Sequence, residues 1–262
     1  MFGKRKPSST TPEGTSPGSE GQDPNSGLPW STDRDALVAC NLAAGNLANN
    51  LPRRLTREGR IHAETYVAAA GAIAGFAAQC SLLATADATA LSKLHIVTSK
   101  AGDRYLFGDP LNDALMLASN EFEAKGRVWP VAVGGAVAAG LGEARARTLD
   151  VSSMFDRVAS TIGGENEGLP SVGLAHHPHL PARQLLKVVW PMVSQLFAAD
   201  FDEFHRRFGS VPRKWWGAIA GFCSGRPIVD VKDVLAPDIA VTILMETAIY
   251  TSKLDRALIE QA

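Results

Sequence analysis

Residues 66–83 read YVAAAGAIAGFAAQCSLL, an uncharged run in which half of the residues are alanine or glycine. Small side chains around a helix let neighbouring helices approach closely, and Gly71 and Gly75 form a GxxxG contact motif. A membrane-spanning helix needs about 20 strongly apolar residues, whereas alanine supplies little transfer energy. The run therefore predicts a central, buried helix of a soluble protein, over roughly residues 62–91.

Outward from this run, the sequence predicts further helices and one hairpin. Apolar residues recur at spacings of three and four from Leu37 to Leu51, and Pro52 is expected to end that helix. Strand-forming residues on both sides of a turn containing Gly102 predict a β-hairpin over about residues 94–107. The predicted fold class is mostly α, a compact multi-helix domain with one small β-hairpin.

Composition divides the chain into a tail and a folded part. Residues 1–27 are rich in Ser, Thr, Pro and Gly, and bury too little apolar surface to offset the entropy of ordering. They are predicted to be a disordered tail, and residues 28–262 a single α-helical globular domain. The charged N-terminus is followed by polar residues, so no secretory signal is expected.

Charge and cysteine content narrow the functional class. The chain has 26 basic and 27 acidic residues, and a net charge of -1 argues against a nucleic-acid partner. Cys40, Cys80 and Cys223 lie far apart in apolar stretches without a CxxC motif, which indicates buried thiols in a reducing compartment. We therefore expect a cytoplasmic protein. Neither a P-loop nor a GxGxxG motif is present, and no cofactor is predicted.

Glutamates are the candidates for catalysis, and histidines are the candidates for metal binding. A glutamate inside an apolar helix is either on a solvated stripe or buried with a partner, and burial would raise its pKa. Histidines concentrate in a Gly- and Pro-rich loop over residues 163–178 and just beyond it, and neutral imidazoles are common metal ligands. The catalytic candidates are Glu246 and Glu64, and the metal candidates are His176, His177 and His179.

Two clusters are candidates for binding a protein partner. Four arginines lie between the first two helices and suit an anion or an acidic partner, although a solvated connector has the same composition. A pair of tryptophans follows two basic residues, and such aromatic residues are either core or interface. The residues are Arg53, Arg54, Arg57, Arg60, Trp215 and Trp216.

The segments Gly102–Asn112 and Leu235–Asp255 resemble a family of uncharacterised soluble bacterial proteins. The resemblance extends from about residue 30 to the C-terminus. It implies a bacterial source and a helical fold with a small hairpin. It implies no activity, and neither segment is a catalytic signature, so no functional residue is assigned from it.

The sequence thus predicts a non-catalytic protein–protein interaction or regulatory protein, of an adaptor, chaperone or immunity type. The partner is expected to be another protein, and a homo-oligomer is left open. The first alternative is an enzyme of unrecognised type with a carboxylate- or histidine-based site. The second is a membrane-associated helical protein that uses the Ala- and Gly-rich helices.

Overall fold

The computed structural model describes residues 30, 33–117, 126–198 and 209–260. Helices dominate this part of the chain, and its one sheet is a two-stranded antiparallel hairpin, so the predicted fold class is confirmed. The disordered tail predicted for residues 1–27 lies outside the described residues, and the single domain over residues 28–262 stays a prediction. The first elements are α1 (Asp33–Leu55), α2 (Ala63–Thr85), α3 (Ala88–Ser92), β1 (His95–Thr98), β2 (Arg104–Phe107) and α4 (Asp109–Met116).

The second half of the chain contributes mostly helices. Short 3-10 turns at Leu174–His176 and Arg213–Trp215 lie between them. The helices are α5 (Val128–Ala138), α6 (Glu143–Ala146), α7 (Val151–Thr161), α8 (Ala182–Phe197), α9 (Trp216–Ser224), α10 (Arg226–Asp230), α11 (Pro237–Thr251) and α12 (Ala257–Glu260).

Helix α2 is the central element, as the sequence predicts. It packs against α11 in a parallel arrangement, since Gly71 lies against the backbone of Leu244 and Gly75 against that of Ala248. The GxxxG motif therefore serves helix packing within the fold. In the described residues α2 alone is long and apolar enough to cross a membrane, but 78% of its most apolar window is buried inside the protein.

The end of the first helix differs from the prediction. Helix α1 contains Pro52 and continues to Leu55. Proline removes only one amide donor, and the next turn is kept by a hydrogen bond of 2.9 Å from the Thr56 amide to the Pro52 carbonyl oxygen. The expectation that Pro52 ends the helix was wrong.

The predicted helix over residues 62–91 consists of two helices. Ala86 has an extended backbone and ends α2. Asp87 then caps α3, because its carboxylate accepts a hydrogen bond of 2.7 Å from the Ala90 amide. Hydrophobic spacing alone predicts one continuous helix, but the Asp87 cap begins a second one.

The hairpin is attached to the end of α11. In its register Ile96 pairs with Leu106. The outer edge of β2 is covered by the chain after α11, through hydrogen bonds of 2.7 Å from the Leu106 amide to the Lys253 carbonyl and 3.2 Å from the Asp255 amide to the Arg104 carbonyl. These contacts hold the hairpin next to the C-terminal end of the central helix pair.

Lys253, in this attachment, is a buried cation. It is only 3% exposed, and its Nζ donates a 3.2 Å hydrogen bond to Asn112 Oδ1. The Nζ also lies 4.9 Å from the ring centre of Phe107 and 5.9 Å from that of Phe155. It has no carboxylate within salt-bridge distance among the described residues. Burial therefore lowers the pKa of Lys253 to about 8.

The buried ammonium should make stability rise with pH. Between the folded pKa near 8 and the ordinary value of 10.5, the unfolded chain binds more protons than the native protein. The free energy of unfolding is then expected to increase across this window by up to ~3 kcal/mol. Urea denaturation of the wild-type protein and Lys253→Met from pH 7 to pH 10 measures the effect.

Lys253→Met is expected to be more stable than the wild-type protein at pH 7 and to show a flatter pH profile. Methionine fills a similar volume without a charge to desolvate. Equal pH slopes for the two proteins would mean that Lys253 keeps its ordinary pKa in the fold.

Candidate functional site

The loop that joins α7 to α8, residues 162–181, contacts three parts of the helical core. We refer to it as the connecting loop. Through Glu167 it contacts the hairpin and the end of α11, and through Ser171 it contacts the middle of α11. Through His176 and His179 it contacts the beginning of α2. The histidine-rich loop predicted from the sequence is therefore held in place rather than free.

The first contact is a hydrogen-bonded carboxylate. Glu167 Oε1 accepts hydrogen bonds from the hydroxyl of Tyr105 at 2.6 Å, from Arg183 at 2.7 Å and from the hydroxyl of Tyr250. Burial acts to raise the pKa of Glu167, but these hydrogen bonds, that of the Gly163 amide and the Arg183 charge keep it below the ordinary value. Arg183 also pairs with Asp103 of the hairpin at 2.6 Å. This network fixes the base of the loop.

The second contact places Ser171 on Glu246. The Ser171 amide donates a hydrogen bond of 2.5 Å to Glu246 Oε2, and its hydroxyl donates to Oε1. Glu246 is only 3% exposed, in the middle of the buried helix α11. The sequence left two environments open for Glu246, a solvated stripe of the helix or burial with a partner. In the structure Glu246 is buried. Ser171 is its hydrogen-bond partner.

Glu246 also lines an open cleft of about 520 Å³. The cleft lies between α6, α7, the start of α11 and the part of the connecting loop that contains Ser171. Two arginines and three further hydroxyl side chains line it. They are Arg145, Arg157, Thr148, Ser153 and Thr242. We call this space the Glu246 cleft.

The environment of Glu246 shifts the pKa of its carboxyl group. Burial raises the pKa of the carboxyl, whereas the two hydrogen bonds from Ser171 and the positive charge of Arg157 act in the opposite direction. Burial outweighs them, so the pKa of Glu246 lies above its ordinary value. A carboxyl of this kind beside a cleft can hold or exchange a proton with a bound molecule.

The third contact joins Glu64 to the predicted histidines. Glu64 Oε1 lies 3.0 Å from His176 Nδ1, and Oε2 lies 3.3 Å from His62 Nε2. The His62 ring stacks on that of His179 at 3.8 Å, and the Thr65 hydroxyl accepts a hydrogen bond of 2.9 Å from the His179 amide. The catalytic candidate Glu64 and two of the metal candidates, His176 and His179, therefore meet at the beginning of α2, although they lie far apart in sequence.

The contacts of Glu64 and His62 explain the direction in which their pKa values shift. Burial acts to raise the pKa of Glu64, but the hydrogen bond with His176, its own amide and the two histidine charges lower it overall. Burial and the neighbouring His179 lower the pKa of His62 despite Glu64. The lowered pKa of His62 suits its role as the cap of α2, since His62 Nδ1 accepts a 3.3 Å hydrogen bond from the Thr65 amide.

Glu64 and the histidines around it do not form a metal site. In the part of the chain that the structure describes, no group of three or more His, Cys, Asp or Glu side chains could hold an ion. His177 points its Nε2 at the carbonyl oxygen of Val172, at 3.1 Å, rather than at the other histidines. The geometry of these histidines is that of a loop attachment.

The candidate partner-binding residues occupy two different environments. Trp215 is buried, and Trp216 is half-buried and stacks on Phe197 at 4.7 Å, with Arg213 5.2 Å from its ring centre. The tryptophans thus contribute to packing between α8 and α9. The four arginines of the other cluster are all exposed, and the backbones of Arg57 and Arg60 pair across a tight turn.

The sequence did not identify Ser171, Arg157 or His62 as site residues. Ser171 lies in the loop that composition marked, so a search of that loop for hydroxyl partners of Glu246 could have found it. Arg157 is one of several arginines on amphipathic segments, and only the packing of α7 against α11 brings it to the cleft. His62 precedes α2 as an ordinary helix cap.

Comparison with known proteins gives no relative for this chain: no family model, curated protein or solved structure matches it. Arguments about function therefore rest on the geometry of the site.

Proposed function

We propose that this protein binds a small polar molecule in the Glu246 cleft. The observation that carries the proposal is a carboxyl that is 3% exposed yet lines an open cleft of about 520 Å³. Small-molecule sites typically combine a concavity of this size with a few convergent polar groups and a titratable residue of perturbed pKa. The raised pKa of Glu246 fits that pattern.

The connecting loop supports the proposal because it forms one wall of the cleft and is fixed on both sides of that wall. Glu167 attaches it to the hairpin, and His176 attaches it to Glu64 of α2. A wall that is held in place before the ligand arrives lowers the entropy lost on binding.

A variant that fills the cleft tests the proposal. Thr242 is half-buried and lines the cleft, so Thr242→Trp should occupy much of the space. A small-molecule extract of the source cells is expected to raise the melting temperature of the wild-type protein by several degrees, since ligand at about 100 times its Kd adds about 2.7 kcal/mol. Thr242→Trp should show no rise.

Thr89→Trp is the matched control, because Thr89 is exposed on α3 and does not line the cleft. It should respond to the extract as the wild-type protein does. The proposal fails if the extract stabilises all three proteins equally or none of them. Circular dichroism before the extract is added establishes that the variants are folded.

Acid–base catalysis on the bound molecule is the second candidate function. The upward shift of the Glu246 pKa favours it, because a general acid at neutral pH needs a pKa above the ordinary carboxyl value. Catalysis predicts that the protein converts the molecule while holding it, so that both substrate and product are recovered from the cleft. A binding protein without catalysis would release a single compound unchanged.

Protein–protein interaction, the function predicted from the sequence, stays a prediction. The exposed arginine cluster offers a surface for an acidic partner. With Trp215 buried and Trp216 packed on Phe197, the tryptophan pair offers little surface for such a partner. Cytoplasmic location likewise remains a prediction, and a homo-oligomer remains open.

A further inference from the structure

Arg157 is the charged group of the Glu246 cleft whose charge acts on Glu246 but which forms no ion pair or hydrogen bond with a described residue. It is half-buried on α7 and lines the cleft, and its guanidinium forms no ion pair or hydrogen bond within the described chain. The arginines just before α7 are both paired, Arg145 with Asp238 at 3.5 Å and Arg147 with Glu143 at 3.6 Å. A half-buried guanidinium without a partner leaves its donors free for a ligand.

The carboxylates that line the cleft are bonded to other groups and form no ion pair with the Arg157 guanidinium. Asp238 pairs with Arg145, and Asp150 caps α7 by accepting a hydrogen bond of 3.1 Å from the Ser153 amide. Glu246 is bonded through both oxygens to Ser171. Each acid of the cleft is therefore already held by an ion pair or hydrogen bond, whereas the Arg157 guanidinium is held by neither among the described residues.

The wall of the cleft adds two backbone donors. The amides of Val172 and Gly173 follow Ser171 in the connecting loop, and both residues line the cleft. Neither amide donates a hydrogen bond to another residue of the described structure. Backbone amides without a protein partner can donate hydrogen bonds to the anionic oxygen atoms of a ligand.

The hydroxyl oxygens of the cleft can act as hydrogen-bond acceptors for a ligand, because their hydrogens are already donated within the protein. The hydroxyl hydrogen of Thr148 is donated to the Arg145 carbonyl at 2.8 Å, and that of Ser153 to the Asp150 carbonyl at 2.8 Å. Thr242 donates to the backbone of its own helix at 3.0 Å. The remaining lone pairs of these oxygens can accept hydrogen bonds from hydroxyl or amino groups of a ligand.

We infer that the ligand of the cleft is a small organic anion that also carries hydroxyl or amino groups. Its carboxylate or phosphate pairs with Arg157 and the amides of Val172 and Gly173, and its donors bond to Thr148, Ser153 and Thr242. The inference rests on the proposed binding function and adds the chemical class of the ligand.

The test uses three probes of similar size: gluconate, glucose 6-phosphate and neutral glucose. Nuclear magnetic resonance follows the Arg157 Nε–H and the amides of Val172 and Gly173 in the full-length protein during titration to millimolar concentrations. One or both anions should shift these signals, and glucose should not. Comparing the carboxylate with the phosphate identifies which anionic group the site prefers.

Arg157→Gln should weaken binding of the anion by about tenfold to a hundredfold, the effect of losing a hydrogen bond to a charged group. The control is Arg147→Gln, which removes an exposed arginine that does not line the cleft. It should bind the anion as the wild-type protein does.

The inference is overturned if neither anion shifts the three signals, if glucose shifts them as strongly, or if Arg157→Gln binds as tightly as Arg147→Gln. Failure of the inference leaves the proposed function standing when the cell extract still stabilises the wild-type protein but not Thr242→Trp. If the extract stabilises the wild-type protein and Thr242→Trp alike, both the inference and the proposed function fail.

Discussion

Gly75→Ala is expected to lower the free energy of unfolding by about 3 kcal/mol, at the upper end of overpacking costs. A methyl group at this position would overlap the backbone oxygen of Ala248 on α11 and press on the Thr251 side chain. The clash is with backbone, so the two central helices would have to separate, and the contacts around them would loosen. Urea denaturation monitored by circular dichroism measures the change.

The matched control is Gly45→Ala in the middle of α1. A methyl group there would meet nothing within 4 Å, and Gly45 is exposed. Because alanine is the better helix former, this variant should be more stable by up to about 1 kcal/mol. The same chemical change thus has opposite expected signs at two helical positions. A stabilising Gly75→Ala would contradict the close packing of α2 on α11.

Arg183→Met is expected to cost about 3–5 kcal/mol, as for breaking a buried ion pair from one side. Arg183 bonds to both Glu167 and Asp103, and its side chain is 23% exposed. Without it, Glu167 remains largely buried among tyrosines with its charge uncompensated. The free energy of unfolding from urea titration gives the size of the loss.

The double variant Arg183→Met, Glu167→Gln separates a charge effect from a loss of packing. Removing the uncompensated charge should recover part of the stability, so the two substitutions would be non-additive. Arg147→Met is the surface comparison, because its pair with Glu143 is exposed and should contribute less than about 1 kcal/mol. An Arg183→Met effect no larger than that would show that the loop attachment does not depend on the ion pair.

The fold class and the central helix could be predicted because they follow from local composition. The Ala- and Gly-rich run over residues 66–83 can pack closely on all sides, and strand formers flank the turn at Gly102. The boundaries were harder, because Pro52 stays within α1 and Asp87 caps a new helix by a single side-chain bond. Each depends on one hydrogen bond that hydrophobic spacing does not encode.

The candidate site could be predicted only in part. Glu246, Glu64 and the histidines were found because charged or titratable residues in apolar or Gly-rich surroundings are unusual. Their partners are distant in sequence, as with Ser171 on Glu246 and His176 on Glu64. Arg157 carries no local signal, since its significance arises from lining the cleft without an ion pair or hydrogen bond to any described residue.

The most direct test of the account is the identification of small molecules released on denaturation from protein purified under mild conditions from its own cells. Mass spectrometry should find one compound, or a substrate and its product, at close to one molecule per chain in the wild-type protein and in Thr89→Trp. The compound should be absent from Thr242→Trp. If the wild-type protein releases nothing that Thr242→Trp lacks, the Glu246 cleft is not a ligand site.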